Sequence, residues 1–208
     1  TDMQFEIFQK AADKIKRADF SSKGGSASGG KNVIFHAAAT GAIFINQKYH
    51  LGAVRSGIGL YGLWPSRELM IQNKDIKLNP VLSWHVLISE IKNLKKGDFV
   101  GYDLVERVMK STKMAILPIG YWHGFPRSLS GIGEVLIKGR LARVLGRVSM
   151  DLVVVDVSGI DCKVGDRAVI VGGQNGNEIS ASDIAQKFGT THYEFVTRIN
   201  PLIERIIV

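Results

Sequence analysis

At 208 residues and 22.8 kDa, the chain has room for one large domain or two modest ones, each with a core. It is 45% hydrophobic and 22% charged, ordinary for a soluble protein, and no apolar run approaches the ~18–20 residues of a membrane span. No charged-then-apolar leader opens the sequence, and the absence of an initiator methionine before Thr1 suggests a processed, trimmed or excised piece. The single cysteine, Cys162, excludes an internal disulfide framework and multi-thiolate metal sites and points to a reducing compartment. The net charge of +8 and pI near 9.6 raise the question of nucleic acid. The Lys and Arg are dispersed, however, with acidic residues among them and no aromatic RNP-like strand, so the charge reads as a solvated basic surface.

In chain order, residues 2–17 read as an amphipathic helix. Phe5, Phe8, Ala12 and Ile15 recur at spacings of three and four, and Thr1 stands at the capping position. Residues 21–31, rich in Gly, Ser and Ala, read as a mobile loop. A strand at 33–36, a small-residue turn at 37–41 and a second apolar run at 42–45 follow. A glycine-punctuated stretch, 53–63, ends at Trp64-Pro65. This is the pattern of the last units of an α/β architecture.

The character changes near Pro80. Leu82, Trp84, Val86 and Ile88 alternate with polar residues, which predicts one half-buried strand over 81–91. A Lys96-Gly97-Asp98 turn leads into a strand at 99–102. Further β runs follow at 114–119, 133–137, 141–148, 152–157 and 167–171, with turns at 138–140 and 172–177. One short helix, 182–188, has Gly189 at its C-terminal end. The second part is therefore β-dominated and barrel-like. There is no internal repeat, no G-x-G-x-x-G after a strand, no Walker loop, no H-E-x-x-H and no G-x-S-x-G. The five histidines lack ligand spacing, so no metal is expected.

Seven segments, taken together, resemble the alanine racemases, which use pyridoxal phosphate. They are 35–42, 54–62 (Val-Arg-Ser-Gly-Ile-Gly-Leu-Tyr-Gly), 97–102 (Gly-Asp-Phe-Val-Gly-Tyr), 117–121 (Leu-Pro-Ile-Gly-Tyr), 146–151 (Gly-Arg-Val-Ser-Met-Asp), His192-Tyr193-Glu194 and the Arg-containing end. They occur in the family's order and with its approximate spacings. The resemblance implies that residues 1–80 are the tail of a pyridoxal phosphate-binding (β/α)8 barrel and residues 81–208 a complete C-terminal β domain. Such a barrel needs about 250 residues. The Schiff-base lysine of the family lies in its first strands and has no counterpart motif here, so this stretch alone is expected to be inactive.

By the same resemblance, Thr40, Gly57, Ile58 and Tyr193 match phosphate-contacting positions. Arg55 matches the arginine facing the pyridine nitrogen, and His36 a histidine that buttresses it. A guanidinium stays charged, so Arg55 should keep that nitrogen unprotonated and suppress transamination. Tyr102 matches the acid/base on one face of the substrate, acting in the site of a partner subunit within a homodimer. Met150 and Asp151 match the segment beside the substrate carboxylate. Tyr121, Arg127 and Arg147 match the access corridor. On the residues alone, Gly57 reads as turn geometry, Arg55 as a salt-bridge partner and Tyr102 as a core or rim aromatic.

The chain departs from the family at Ala39, where Asn is usual, at Asp103, where Gly is usual, and at Trp122-His123 and Ser149. The implied activity is interconversion of L- and D-alanine in the cytoplasm for cell-wall precursors, with no nucleic-acid or membrane partner. The alternatives are a racemase for serine or another small amino acid, and a non-catalytic β-barrel module used for dimerisation or binding.

Overall fold

The computed structural model describes residues 1–17 and 34–208, which form two compact units, Thr1–Val81 and Leu82–Val208. The Gly/Ser/Ala-rich loop expected at 21–31, and Val33 of the first expected strand, lie outside the described residues.

In the first unit, α1 (Asp2–Arg17) buries Phe5 and Ala12. Phe5 meets the Tyr49 ring edge-on, centroids 5.0 Å apart, in a small core with Ala38. Ile15, expected on the same face, is 44% exposed. It stands ten residues from Phe5, about 15 Å along the axis, beyond that core. Strand β1 (His36–Ala39) runs into α2 (Thr40–Ile45) and pairs in parallel with β2 (Ala53–Arg55), with His36 opposite Ala53 and Ala39 opposite Arg55. The three alanines expected in a turn are therefore strand, and the apolar run 42–45 is helix. Ala38 is fully buried against Phe5 and Tyr49. Helix α3 (Arg67–Gln72), not anticipated, starts at Ser66, whose Oγ accepts the Leu69 N–H at 3.3 Å.

The second unit carries an eight-stranded, antiparallel sheet. Its strands are β3 (Trp84–Leu87), β4 (Glu90–Leu94), β7 (Thr112–Leu117), β8 (Glu134–Ile137), β9 (Arg140–Leu145), β10 (Val153–Asp156), β11 (Arg167–Gln174) and β12 (Asn177–Ile179). The order is β12-β11-β8-β9-β10-β7-β4, with β3 also paired to β11. A separate two-stranded sheet joins β5 (Phe99–Val100) to β6 (Glu106–Arg107). Val135, Leu136 and Ile137 are all buried, so both faces of β8 are covered. Each such side chain contributes about 1.5–3 kcal/mol relative to exposure.

Two expectations change here. The single strand over 81–91 is two strands, because the chain crosses between ladders at Ile88 and Ser89. Ile88 bonds to Asp166 and Gly165, whereas the Ser89 N–H donates to the Ile116 carbonyl. For the same reason the barrel-like domain is corrected to a mostly antiparallel sheet that does not close: β3 and β4, consecutive in sequence, pair with β11 and β7 and not with each other.

Helix α4 (Ala181–Lys187) opens with a reciprocal cap, the Ser180 Oγ accepting the Asp183 N–H at 3.1 Å and the Asp183 carboxylate accepting the Ser180 N–H at 2.9 Å. Gly189, at φ +75°, ends it. Helix α5 (His192–Thr197), too short for a periodic signal, follows. Among the described residues no helix is long and apolar enough to cross a membrane.

Candidate active site

Four of the residues singled out in the first unit form two bonded pairs along the parallel β1–β2 strands and just beyond them, Arg55 with His36 and Gly57 with Thr40. Arg55, the last residue of β2, donates from Nη1 to His36 Nδ1 at 2.5 Å, and also to the His36 and Ala37 carbonyls at 3.4 and 3.3 Å. A guanidinium has no acceptor, so Nδ1 accepts and the imidazole is neutral with its hydrogen on Nε2. Among the described residues Arg55 has no carboxylate partner. Its charge is therefore held in place but not neutralised. Arg55 and His36 border a cavity of about 510 Å³ with Phe8, Ala39 and Ala42, within the usual range for small-ligand sites.

Thr40, buried at the start of α2, accepts the Gly57 N–H on its Oγ1 at 2.9 Å. Its own O–H hydrogen remains available to an anion. Ile58, in the turn after Gly57, is buried and anchors the loop. The Thr40 hydroxyl, held in place by the Gly57 N–H and backed by an uncompensated arginine, fits a phosphorylated heterocycle with a basic ring nitrogen.

In the second unit, three loops are clasped together. The first, residues 101–105, is the tip of the β5–β6 hairpin and presents Tyr102, 68% exposed, with no hydrogen-bond partner among the described residues. It stands not at a strand end, as expected, but in a tight turn, Tyr102–Leu104, two of whose residues have positive φ. The second loop follows β9. A Cβ on its Gly146 would lie 2.6 Å from the Val100 carbonyl oxygen, so glycine permits the two backbones to meet. Arg147 then pairs with Asp103 at 3.0 Å.

The third loop, 120–124, follows β7. Tyr121 and Trp122 donate their N–H groups to the Ser149 and Met150 carbonyls at 3.0 and 2.9 Å. A Cβ on Gly120 would come within 2.2 Å of the Ser149 oxygen. Met150 is left with its own N–H unbonded among the described residues, and Asp151 beside it is exposed. Tyr121 and Arg127 border one cavity of about 750 Å³ with Phe125, Phe188, Glu194 and Arg198. Arg147 does not line it and faces Asp103 instead. Tyr193 lies on α5, its ring 4.7 Å from that of His192. Burial pushes the His192 imidazole below its ordinary range, and its Nε2 has no hydrogen-bond partner among the described residues. Gly120, Gly146 and Ser149 were not among the candidate residues, although clasping depends on them. The glycines in Ile119-Gly120-Tyr121 and Leu145-Gly146-Arg147 are the available signal.

The family described as "Alanine racemase, C-terminal domain" matches residues 81–207. The alanine racemase of Halothermothrix orenii is 43% identical over 173 residues, 83% of this chain and 45% of that protein. Among solved structures, the alanine racemase of Bacillus anthracis with bound L-Ala-P superposes with a TM-score of 0.82 at 32% identity, covering 96% of this chain and 48% of that one. The alanine racemase of Bartonella henselae with covalently bound pyridoxal phosphate gives 0.75 at 25% identity, covering 85% and 47%. The chain spans about half the length of the curated relatives it matches. With the family's domain matched along most of the second unit and racemases aligned over more than four-fifths of the chain, this protein belongs to the alanine racemase family.

Proposed function

We propose that this chain is the C-terminal part of a pyridoxal phosphate-dependent racemase that interconverts L- and D-alanine. Residues 1–80 would be the tail of its cofactor-binding (β/α)8 barrel and residues 81–208 its C-terminal domain. The observation that carries the reading is the Arg55 guanidinium, held by a neutral imidazole and two carbonyls with no carboxylate among the described residues. A cation held so opposes protonation of a nearby ring nitrogen, which limits how far electrons drain into the ring and favours return of the proton to the same carbon.

Bound pyridoxal phosphate, as carried by the Bartonella henselae relative, supplies the electron sink that makes the substrate α-proton removable. In this reading Thr40, Gly57, Ile58 and Tyr193 hold its phosphate, and Arg55, braced by His36, faces its ring nitrogen. The Tyr102 phenol takes or returns the α-proton on one face of the substrate. The Met150 N–H binds the substrate carboxylate with Asp151 beside it, and Tyr121, Arg127 and Arg147 line the access corridor. The enzyme is a cytoplasmic homodimer in which Tyr102 serves the partner's site, and it supplies D-alanine for cell-wall precursors. The lysine that holds the cofactor lies outside these 208 residues, so they are inactive alone.

The test is to express the full reading frame containing this chain, load it with cofactor and follow D-alanine formation from L-alanine, with L-serine in parallel. The reading expects racemisation of alanine by the complete enzyme and none by this chain alone. A complete enzyme that binds the cofactor but racemises alanine at no pH would overturn it.

A further inference from the structure

Asp103 and Leu104 both have left-handed backbones, at φ +62° and +51°. Side chains other than glycine resist this conformation, Leu more than Asp. Burial does not enforce it, because Tyr102, Leu104 and Val105 are 68%, 65% and 51% exposed. Strain that persists in an exposed turn needs restraint from its surroundings. The restraint comes from one neighbouring loop. Gly101 lies against the Arg147 backbone, where a Cβ would stand 3.3 Å from the Arg147 nitrogen. Gly146 admits the Val100 carbonyl. The Asp103 carboxylate grips the Arg147 guanidinium at 3.0 Å. At the base of the hairpin, Glu106 of β6 pairs with Arg143 of β9 at 2.7 Å. The tip is thus tied to the loop that continues to Met150, and Tyr102 sits between Gly101 and Asp103, the two tied positions.

We propose that Asp103 is a positioning residue: its grip on Arg147 holds the hairpin tip in its left-handed form and fixes where the Tyr102 phenol is delivered. This rests on the assignment of proton transfer to Tyr102. The pair also occupies Arg147, which leaves Arg127 as the one of the two corridor arginines without an ion pair among the described residues. Because both partners are more than one-third exposed, with side chains 37% and 61% accessible, the tie is screened by salt.

The test uses Asp103→Asn, since asparagine tolerates the left-handed backbone, and Asp103→Gly, for which that backbone carries no penalty. In the cofactor-loaded complete enzyme both variants are expected to lower kcat about tenfold with KM within about twofold, while Asp103→Glu recovers part of the loss. Raising salt to about 1 M should lower kcat of the unmodified enzyme toward that of Asp103→Asn and leave the variant unchanged. Independently of activity, a ring-labelled Tyr102 in the 208-residue chain should give one sharp NMR signal at low salt, and a broadened or doubled signal in Asp103→Asn. Unchanged kcat and an unchanged ring signal in both variants would overturn the positioning role while leaving the racemase reading intact. Full activity of Tyr102→Phe would instead remove the catalytic part of the inference, and the ring signal would still decide whether Asp103 fixes the tip.

Discussion

Arg55 donates to His36 Nδ1 across 2.5 Å, so a permanent cation is braced by a ring that must be neutral to receive it. Two backbone carbonyls of β1 complete the brace. Nothing in this arrangement cancels the charge, and that distinguishes it from an ordinary surface arginine paired with an acid.

Removing the brace should loosen the arginine without removing it. His36→Ala is expected to weaken pyridoxal phosphate retention by the complete enzyme several-fold, in line with the ~1 kcal/mol typical of one hydrogen bond. His36→Gln, which keeps an acceptor, should recover part of the loss. Cofactor absorbance remaining after dialysis against increasing volumes checks both.

Gly120 has an extended backbone at φ −161°, so any residue is conformationally allowed there, yet a Cβ would stand 2.2 Å from the Ser149 oxygen. Gly120→Ala is therefore expected to cost about 2–3 kcal/mol, at the upper end of overpacking penalties, by forcing the Ser149–Met150 loop aside. Gly131→Ala is the control: nothing lies within 4 Å of its Cβ, and only its φ of +72° opposes the change, worth about 1 kcal/mol. Urea unfolding of the chain separates the two.

His192 makes stability depend on pH. Burial lowers its folded pKa, so the unfolded chain takes up the proton first as pH falls. Stability is then full above the unfolded value of about 6.5 and is lost progressively as pH drops below it. His192→Phe, which also removes the unpartnered Nε2, should reduce the decline in stability between pH 7 and pH 5.5. It should not abolish it, because His85 is also pushed down, by burial and by the Arg167 charge. Thermal unfolding at several pH values gives the slope; an identical slope in the variant would count against the assignment.

The sequence shows the chemistry more clearly than the backbone. Arg55, His36 and Thr40 are identifiable because the motif spacing survives; the register sets Arg55 opposite Ala39, and its side chain reaches back along β1 to His36. Helix α2 is hidden because six residues, Thr-Gly-Ala-Ile-Phe-Ile, are too few to reveal a 3.6-residue period. The break at Ile88–Ser89 is hidden because the alternation of buried residues passes through it: Trp84 and Ile88 are both buried although their strand segment changes partners there. The Tyr102 turn is hidden for a different reason. Leu104 favours no left-handed conformation, so its geometry comes from the surrounding loops and leaves no local signal.

The most direct measurement is the rate of alanine racemisation by Tyr102→Phe in the cofactor-loaded complete enzyme. Loss of a positioned proton-transfer group predicts a fall in kcat of at least about 100-fold, with cofactor content and KM retained. Racemisation at the unmodified rate would show that the exposed phenol at the hairpin tip moves no proton, and would contradict the account.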